Sequence, residues 1–125
     1  MSAWTKDELD KIGAADELEL TTLRSDGTPR KPVTIWVVRS GDDLFIRSWR
    51  GQSAAWFRSA QARHQGHIQA GGVDKDVLFV RADQSINDEI DAAYRTKYTP
   101  VAPSHVEPMV SPQARATTLK RVPRS

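Results

Sequence analysis

The 125-residue sequence contains no cysteine and no apolar run that approaches the length of a membrane span. The first absence excludes disulfides, thiolate metal ligands and cysteine nucleophiles. The second, with an N-terminus that lacks the apolar core of a signal peptide, leads us to expect a cytoplasmic protein without membrane contact. The composition, 38% hydrophobic and 27% charged, is that of a globular protein, and the length suits one domain over residues 1–125.

The chain also lacks a strong excess of one charge sign, since its formal net charge is only +2. Basic residues crowd near the C-terminus at Lys120, Arg121 and Arg124, whereas acidic residues such as Asp7 and Glu8 crowd near the N-terminus. A domain that binds DNA or RNA usually carries a clear basic stripe. This mild asymmetry is too weak for that, so nucleic acid is not an expected partner.

Several catalytic motifs are missing as well. There is no Gly-x-Gly-x-x-Gly or Walker sequence, which argues against dinucleotide and nucleoside-triphosphate folds, and no Gly-x-Ser-x-Gly elbow of a serine hydrolase. His64 and His67 lie three residues apart and His105 is distant, but no cluster of carboxylates accompanies them. We therefore predict surface histidines and no metal site.

Alternating apolar residues and turn signals predict a chain made mainly of strands. Thr5 and Glu8 form a capping box for a first helix that Gly13 ends, and Ser25–Thr28 contains the Asp-Gly pair of a hairpin turn. The pattern predicts strands over 17–23, 30–39, 44–47, 67–70, 73–81 and 114–122, helices from about 5, 53 and 85, and a proline-rich loop over 99–112.

These elements predict an α+β fold that is mainly β: a small six-stranded antiparallel barrel with two or three peripheral helices. The first three strands follow one another through short turns, so we expect them to form a meander.

The segment that joins the third strand to the second helix has the features of an anion site. Arg47, Ser48 and Arg50 end the strand, Gly51 is flexible, and the helix pattern begins at Ser53. The first amides of a helix lack intrahelical acceptors and lie at the positive end of its dipole, and guanidinium groups bind phosphate bidentately. A phosphate site is one interpretation; a solvated basic loop is the other.

Alternation along 30–39 places Arg30, Thr34 and Trp36 on one face of the predicted strand and mainly core residues on the other. Trp36 fits core packing and the wall of a ligand site equally well. Farther along, Tyr94 suits the core, while Lys97 and Tyr98 either end a helix or reach a substrate.

Three segments carry a resemblance to a known superfamily: LTTLRSDGTPRKPVTIW (20–36), GDDLFIRS (41–48) and AWF (55–57). They resemble the flavin-binding split barrels, which include pyridoxamine-phosphate-oxidase-like proteins and deazaflavin-dependent nitroreductases. The whole chain, with YRTKY (94–98) and MVSPQARATTL (109–119), resembles a small bacterial family, the domain of unknown function 2255.

The resemblance implies a six-stranded split barrel that forms a homodimer, with an FMN or deazaflavin ring near the subunit interface. Basic and hydroxyl residues of the second and third strands hold the cofactor phosphate in that superfamily. By position, the implied cofactor-binding residues are Lys31, Thr34 and Trp36 on the second strand and Ser48, Trp49, Arg50 and Ser53 at the strand–loop–helix corner.

From this resemblance we expect a flavin- or deazaflavin-binding oxidoreductase that acts on a small organic molecule. Arg50 and Ser53 are the expected phosphate contacts, and Trp36 and Trp49 the expected walls for the ring. The alternative is a non-catalytic split-barrel module that binds a small ligand or a partner and has lost the cofactor.

Overall fold

The computed structural model describes residues 4–24 and 26–123. Its strands are β1 (Leu18–Thr22), β2 (Val33–Ile35), β3 (Val38–Ser40), β4 (Asp43–Ile46), β5 (Gln65–Ala70), β6 (Val73–Arg81) and β7 (Leu119–Pro123). Its α-helices are α1 (Lys6–Ala14), α2 (Ala55–Arg63), α3 (Asn87–Tyr98), α4 (Pro103–Met109) and α5 (Pro112–Arg115). Ser25, part of the predicted hairpin turn, lies outside the described residues.

The first helix begins as its sequence predicts. The Thr5 hydroxyl accepts from the backbone N–H of Glu8 at 3.1 Å, and the Glu8 carboxylate accepts from the N–H of Thr5 at 2.9 Å. This confirms the capping box, which satisfies two of the amides that a helix start leaves free. Trp4 and Leu9 both join the main apolar core, so the capped turn also anchors α1 on the sheet.

All seven strands belong to one antiparallel sheet, which curls into a half-barrel, in the order β2-β1-β5-β6-β7-β4-β3. The fold is therefore α+β as predicted, but the expected six strands are wrong by one. The predicted strand over 30–39 is two strands, because β2 pairs with β1 and β3 pairs with β4 at the opposite end of the sheet. The expected meander is wrong for the same reason.

The sheet divides between Trp36 and Val37 because the backbone there bonds to a side chain instead of a strand. The N–H of Val37 donates to the Tyr98 hydroxyl at 3.1 Å. The same hydroxyl lies 2.7 Å from the carbonyl oxygen of Asp16 and 3.1 Å from that of Val37. A residue of α3 thus takes the place of a neighbouring strand at the split.

Two apolar clusters lie on the two sides of the sheet. The first is the barrel interior, which includes Leu20, Leu44 and Ile68, and α1 and α2 pack against it. The second lies between α3, α4 and the strands β3 and β4, and its members are Val38, Phe45, Ile90, Tyr94, Tyr98, Val106 and Met109. The second cluster fixes α3 and α4 beside the split.

The prediction of a structureless loop over 99–112 is wrong, and so is the expectation of two or three helices. α4 and α5 begin at Pro103 and Pro112, and a proline in the first turn of a helix removes no intrahelical hydrogen bond. Because α5 occupies residues assigned to the last strand, β7 begins only at Leu119. Among the described residues, none of the helices has the length and apolar character that crossing a bilayer requires.

Candidate functional site

A cavity of about 590 Å³ opens beside the split in the sheet. One wall comes from the barrel and the start of α2, and the other from α4. The lining residues are Val33, Thr34, Ile35, Trp36, Arg47, Ser48, Trp49, Arg50, Ala54, Ala55, Trp56, His105, Pro108 and Met109. Pockets of this size in other proteins hold small organic molecules and cofactors.

Trp36 forms a fixed wall of the cavity. Its ring stacks on that of Tyr98, with centroids 3.9 Å apart and planes 2° from parallel. Burial raises the pKa of the Tyr98 hydroxyl, so this group stays protonated and bound to the backbone around Val37. The side chain of Trp36 is half-buried: it packs on the core and also lines the cavity. Core packing and a ligand-site wall, the two interpretations from the sequence, therefore both apply to this residue.

The corner after β4 presents one buried and two exposed residues. Ser48 is buried, and its N–H donates to the Thr117 hydroxyl at 2.8 Å, which ties the corner to the chain just before β7. Trp49 is 57% exposed, an unusual state for a large apolar side chain. The guanidinium carbon of Arg50 lies 5.1 Å from the centroid of the Trp49 ring, within the range of a cation–π contact.

The start of α2 adds positive character to the cavity. The helix begins at Ala55, and its N-cap is Ala54, whose methyl group offers no acceptor, so no side chain caps the first turn. Ala54, Ala55 and Trp56 all line the cavity. Uncapped amides at the positive end of a helix dipole favour an anionic ligand.

Arg47 lines the cavity, but its charge is already balanced. Its side chain is fully buried, and one guanidinium nitrogen lies 2.5 Å from Asp91 and donates to the carbonyl of Met109 at 3.0 Å. The other nitrogens donate to the Thr118 hydroxyl and to the backbone and side chain of Asn87. We conclude that Arg47 ties β4 to α3 and α4, and that Arg50 is the cation available to a ligand.

Five of the seven sequence-predicted site residues line this one cavity: Thr34, Trp36, Ser48, Trp49 and Arg50. Lys31 is exposed ahead of β2 and lies outside the lining. Ser53 also lies outside it, because the predicted start of α2 is two residues early and a 3-10 turn occupies Gly51–Ser53. The Ser53 hydroxyl instead donates to the carbonyl of Arg50 at 3.0 Å.

The sequence reasoning missed the wall that α4 supplies. His105, Pro108 and Met109 line the cavity, and their i, i+3, i+4 spacing is that of one face of a helix. This spacing was available in the sequence, but the proline content of the segment favoured a loop. Trp56, which is not among the predicted cofactor-binding residues, lines the cavity as well.

The lining has a consistent charge. Within the described part of the chain, the titratable side chains of the lining are those of Arg47, Arg50 and His105. None of the lining residues described there is a carboxylate. Three of the chain's four tryptophans, Trp36, Trp49 and Trp56, also face it. The arrangement suits a ligand that combines a flat aromatic ring with an anionic group.

Residues 8–121 match a family model described as an uncharacterized protein conserved in bacteria, DUF2255. No curated protein has a sequence that matches the chain.

Solved structures share the fold at low sequence identity. An F420 reductase has a TM-score of 0.59 at 17% identity, over 97% of this chain and 94% of that one. A putative pyridoxamine 5'-phosphate oxidase from Listeria innocua has a TM-score of 0.62 at 14% identity, over 94% and 90%. A putative 5-nitroimidazole antibiotic resistance protein from Bacteroides thetaiotaomicron has a TM-score of 0.59 at 16% identity, over 98% and 81%.

Proposed function

The chain belongs to the DUF2255 family, and we propose that it is an oxidoreductase that binds FMN or a deazaflavin coenzyme in the cavity beside the split. In this proposal the chain's residues would hold the coenzyme, which would supply the chemistry of hydride transfer to a small organic substrate. The observation that carries the proposal is the lining itself, in which three tryptophans stand beside an exposed arginine and an uncapped helix start.

The residues present fit such a coenzyme. A phosphate would lie between Arg50 and the first amides of α2, where a guanidinium and the positive end of the helix dipole favour the same charge. The coenzyme ring would lie toward Trp36. Stacking on Tyr98 holds the Trp36 indole in one orientation. Because no carboxylate belongs to the described lining, an anionic ligand meets no like charge there.

The division of labour in this proposal is that of most cofactor enzymes. A flavin or deazaflavin ring supplies the redox chemistry when it is bound. The chain's own residues bind the phosphate, orient the ring and exclude water: Arg50 attracts the anion, Trp36 and Trp56 offer apolar surfaces, and α4 closes the opposite side through Met109. A pre-formed wall lowers the entropy lost on binding.

The comparisons support this proposal through the fold they share. One neighbour is named as an F420 reductase and another as a putative pyridoxamine 5'-phosphate oxidase, and both cover at least 94% of the chain.

The homodimer implied by the sequence resemblance stays a prediction. Trp49 lines the cavity and is 57% exposed, and a subunit interface over it would remove this apolar surface from water. Light scattering coupled to gel filtration checks it through the mass of the particle.

The experiment that tests the proposal is a binding titration of the purified chain. Visible absorbance first shows whether a coenzyme is retained, and FMN and the deazaflavin coenzyme are then added separately while tryptophan emission is followed. We expect strong quenching by one of the two, because three of the four tryptophans line the cavity. If neither coenzyme quenches at concentrations well above micromolar, the coenzyme function is wrong and a non-catalytic ligand-binding module becomes the better account.

A further inference from the structure

Arg121 lies in the middle of β7 and carries its charge into the barrel. It is directly opposite Leu44 on β4 and Phe79 on β6, and both of these belong to the main apolar core. Directly opposite residues in an antiparallel pair share a face, so the Arg121 side chain lies on the same side of the sheet. It is fully buried, and the Trp4 indole donates to its carbonyl at 2.9 Å, which fixes the backbone.

The guanidinium of Arg121 has no hydrogen-bonding partner within the described part of the chain. Its Nε, Nη1 and Nη2 atoms are all buried, and all three are unsatisfied. Burial lowers the pKa of Arg121 to about 9, which still leaves the group charged at neutral pH. A buried charge without a counter-charge is strongly destabilising, and native proteins seldom retain one.

Asp91 on α3 does not balance Arg121, because other cations already engage it. Asp91 lies 2.5 Å from Arg47, which is fully buried. Its second oxygen lies 3.2 Å from Nε of Arg115, an ion-pair distance without hydrogen-bond geometry. Asp91 thus pairs with Arg47 and Arg115, and the buried charge of Arg121 is left over.

We propose that Arg121 binds a small monovalent anion, of the size of chloride, inside the barrel. An anion supplies both the acceptor and the negative charge that the guanidinium lacks, whereas a water molecule supplies the acceptor alone. The site is separate from the cavity beside the split, because Arg121 does not line that cavity.

Crystals of the unmodified chain grown in bromide test this site directly. We expect an anomalous-scattering peak within hydrogen-bonding distance of the Arg121 guanidinium. The proposal is overturned if no anomalous peak lies there, including when ordinary water density contacts the guanidinium instead.

A second experiment follows the site in solution. The urea midpoint of unfolding is measured while chloride replaces gluconate, a much larger monovalent anion, at constant ionic strength. A ligand that binds only the folded chain raises its stability, so the midpoint should rise with chloride and this rise should vanish in Arg121→Met. Arg58→Met is the matched control, since it removes an exposed arginine and should keep the wild-type dependence. Equal dependence in Arg121→Met and wild type would contradict the proposal; if Arg121→Met does not fold, the bromide crystals decide.

Discussion

Trp36 and Tyr98 are stacked at 3.9 Å, 62 positions apart in the chain, and this pair connects the split in the sheet to the cavity. The hydroxyl of Tyr98 forms hydrogen bonds with the backbone N–H and carbonyl oxygen of Val37, where the sheet divides. Its ring face supports Trp36, which lines the cavity. The same side chain therefore shapes both the fold and the candidate site.

Replacing Tyr98 with Phe should separate these two roles. The variant keeps the aromatic ring but leaves the N–H of Val37 without its acceptor at a buried position. An unsatisfied buried donor lowers the free energy of unfolding by about 1–3 kcal/mol. Urea denaturation followed by circular dichroism measures the change. A loss well below about 1 kcal/mol would mean that water replaces the hydroxyl at the split.

Breaking the Arg47–Asp91 pair should destabilise the fold strongly. Arg47 is fully buried, so Asp91→Ala leaves its charge without the partner 2.5 Å away. The expected loss is about 3–5 kcal/mol in the free energy of unfolding. Asp88→Ala is the matched control on the same helix, because Asp88 is 95% exposed in its pair with Arg115. That substitution should change stability little. Equal effects of the two would show that Arg47 does not depend on Asp91.

His67 should make stability depend on pH near neutrality. A hydrogen bond to Asp76, at 2.7 Å, and a second to Asp74 raise the pKa of His67 despite its partial burial. A raised pKa means that the folded chain holds the proton more tightly than the unfolded chain. The stabilisation is fully present below about pH 6.5, the pKa of an unperturbed histidine, and is lost as pH rises through the folded-state value.

An NMR titration of the His67 ring measures this pKa. Asp76→Asn should lower it, because the hydrogen bond to the Asp76 carboxylate is the main cause of the shift. Lys75→Met is a suitable control on the same strand, since it removes a neighbouring charge but no His67 partner. An unchanged value in Asp76→Asn would show that the carboxylate does not hold the ring.

Local signals in the sequence were sufficient for several elements. The capping box places the start of α1, and alternation gives β6 its observed bounds, Val73–Arg81. Each of these depends on interactions among residues close in the chain, so a short window contains the whole cause. The corner at Ser48–Arg50 follows in the same way from its position between a strand and a helix.

Features that depend on distant partners could not be predicted locally. The division of the predicted strand at Trp36 requires Tyr98, and the removal of Arg47 from the candidate anion site requires Asp91 on α3. Neither partner is visible from the strand's own residues. The error at α4 had a different cause. The number of prolines in the segment suggested a loop, although a proline such as Pro103 is permitted in the first turn of a helix.

The most direct test of the cavity as a coenzyme site compares two arginines close in the chain. Arg50 lines the cavity, and Arg58 is an exposed residue of α2 outside its lining. With the coenzyme that quenches tryptophan emission, the dissociation constant is measured for Arg50→Ala and Arg58→Ala. A lost charge-assisted hydrogen bond, worth about 1.5–3 kcal/mol, predicts that Arg50→Ala binds roughly 10- to 150-fold more weakly while Arg58→Ala matches wild type. Equal affinities for wild type and Arg50→Ala would contradict the account.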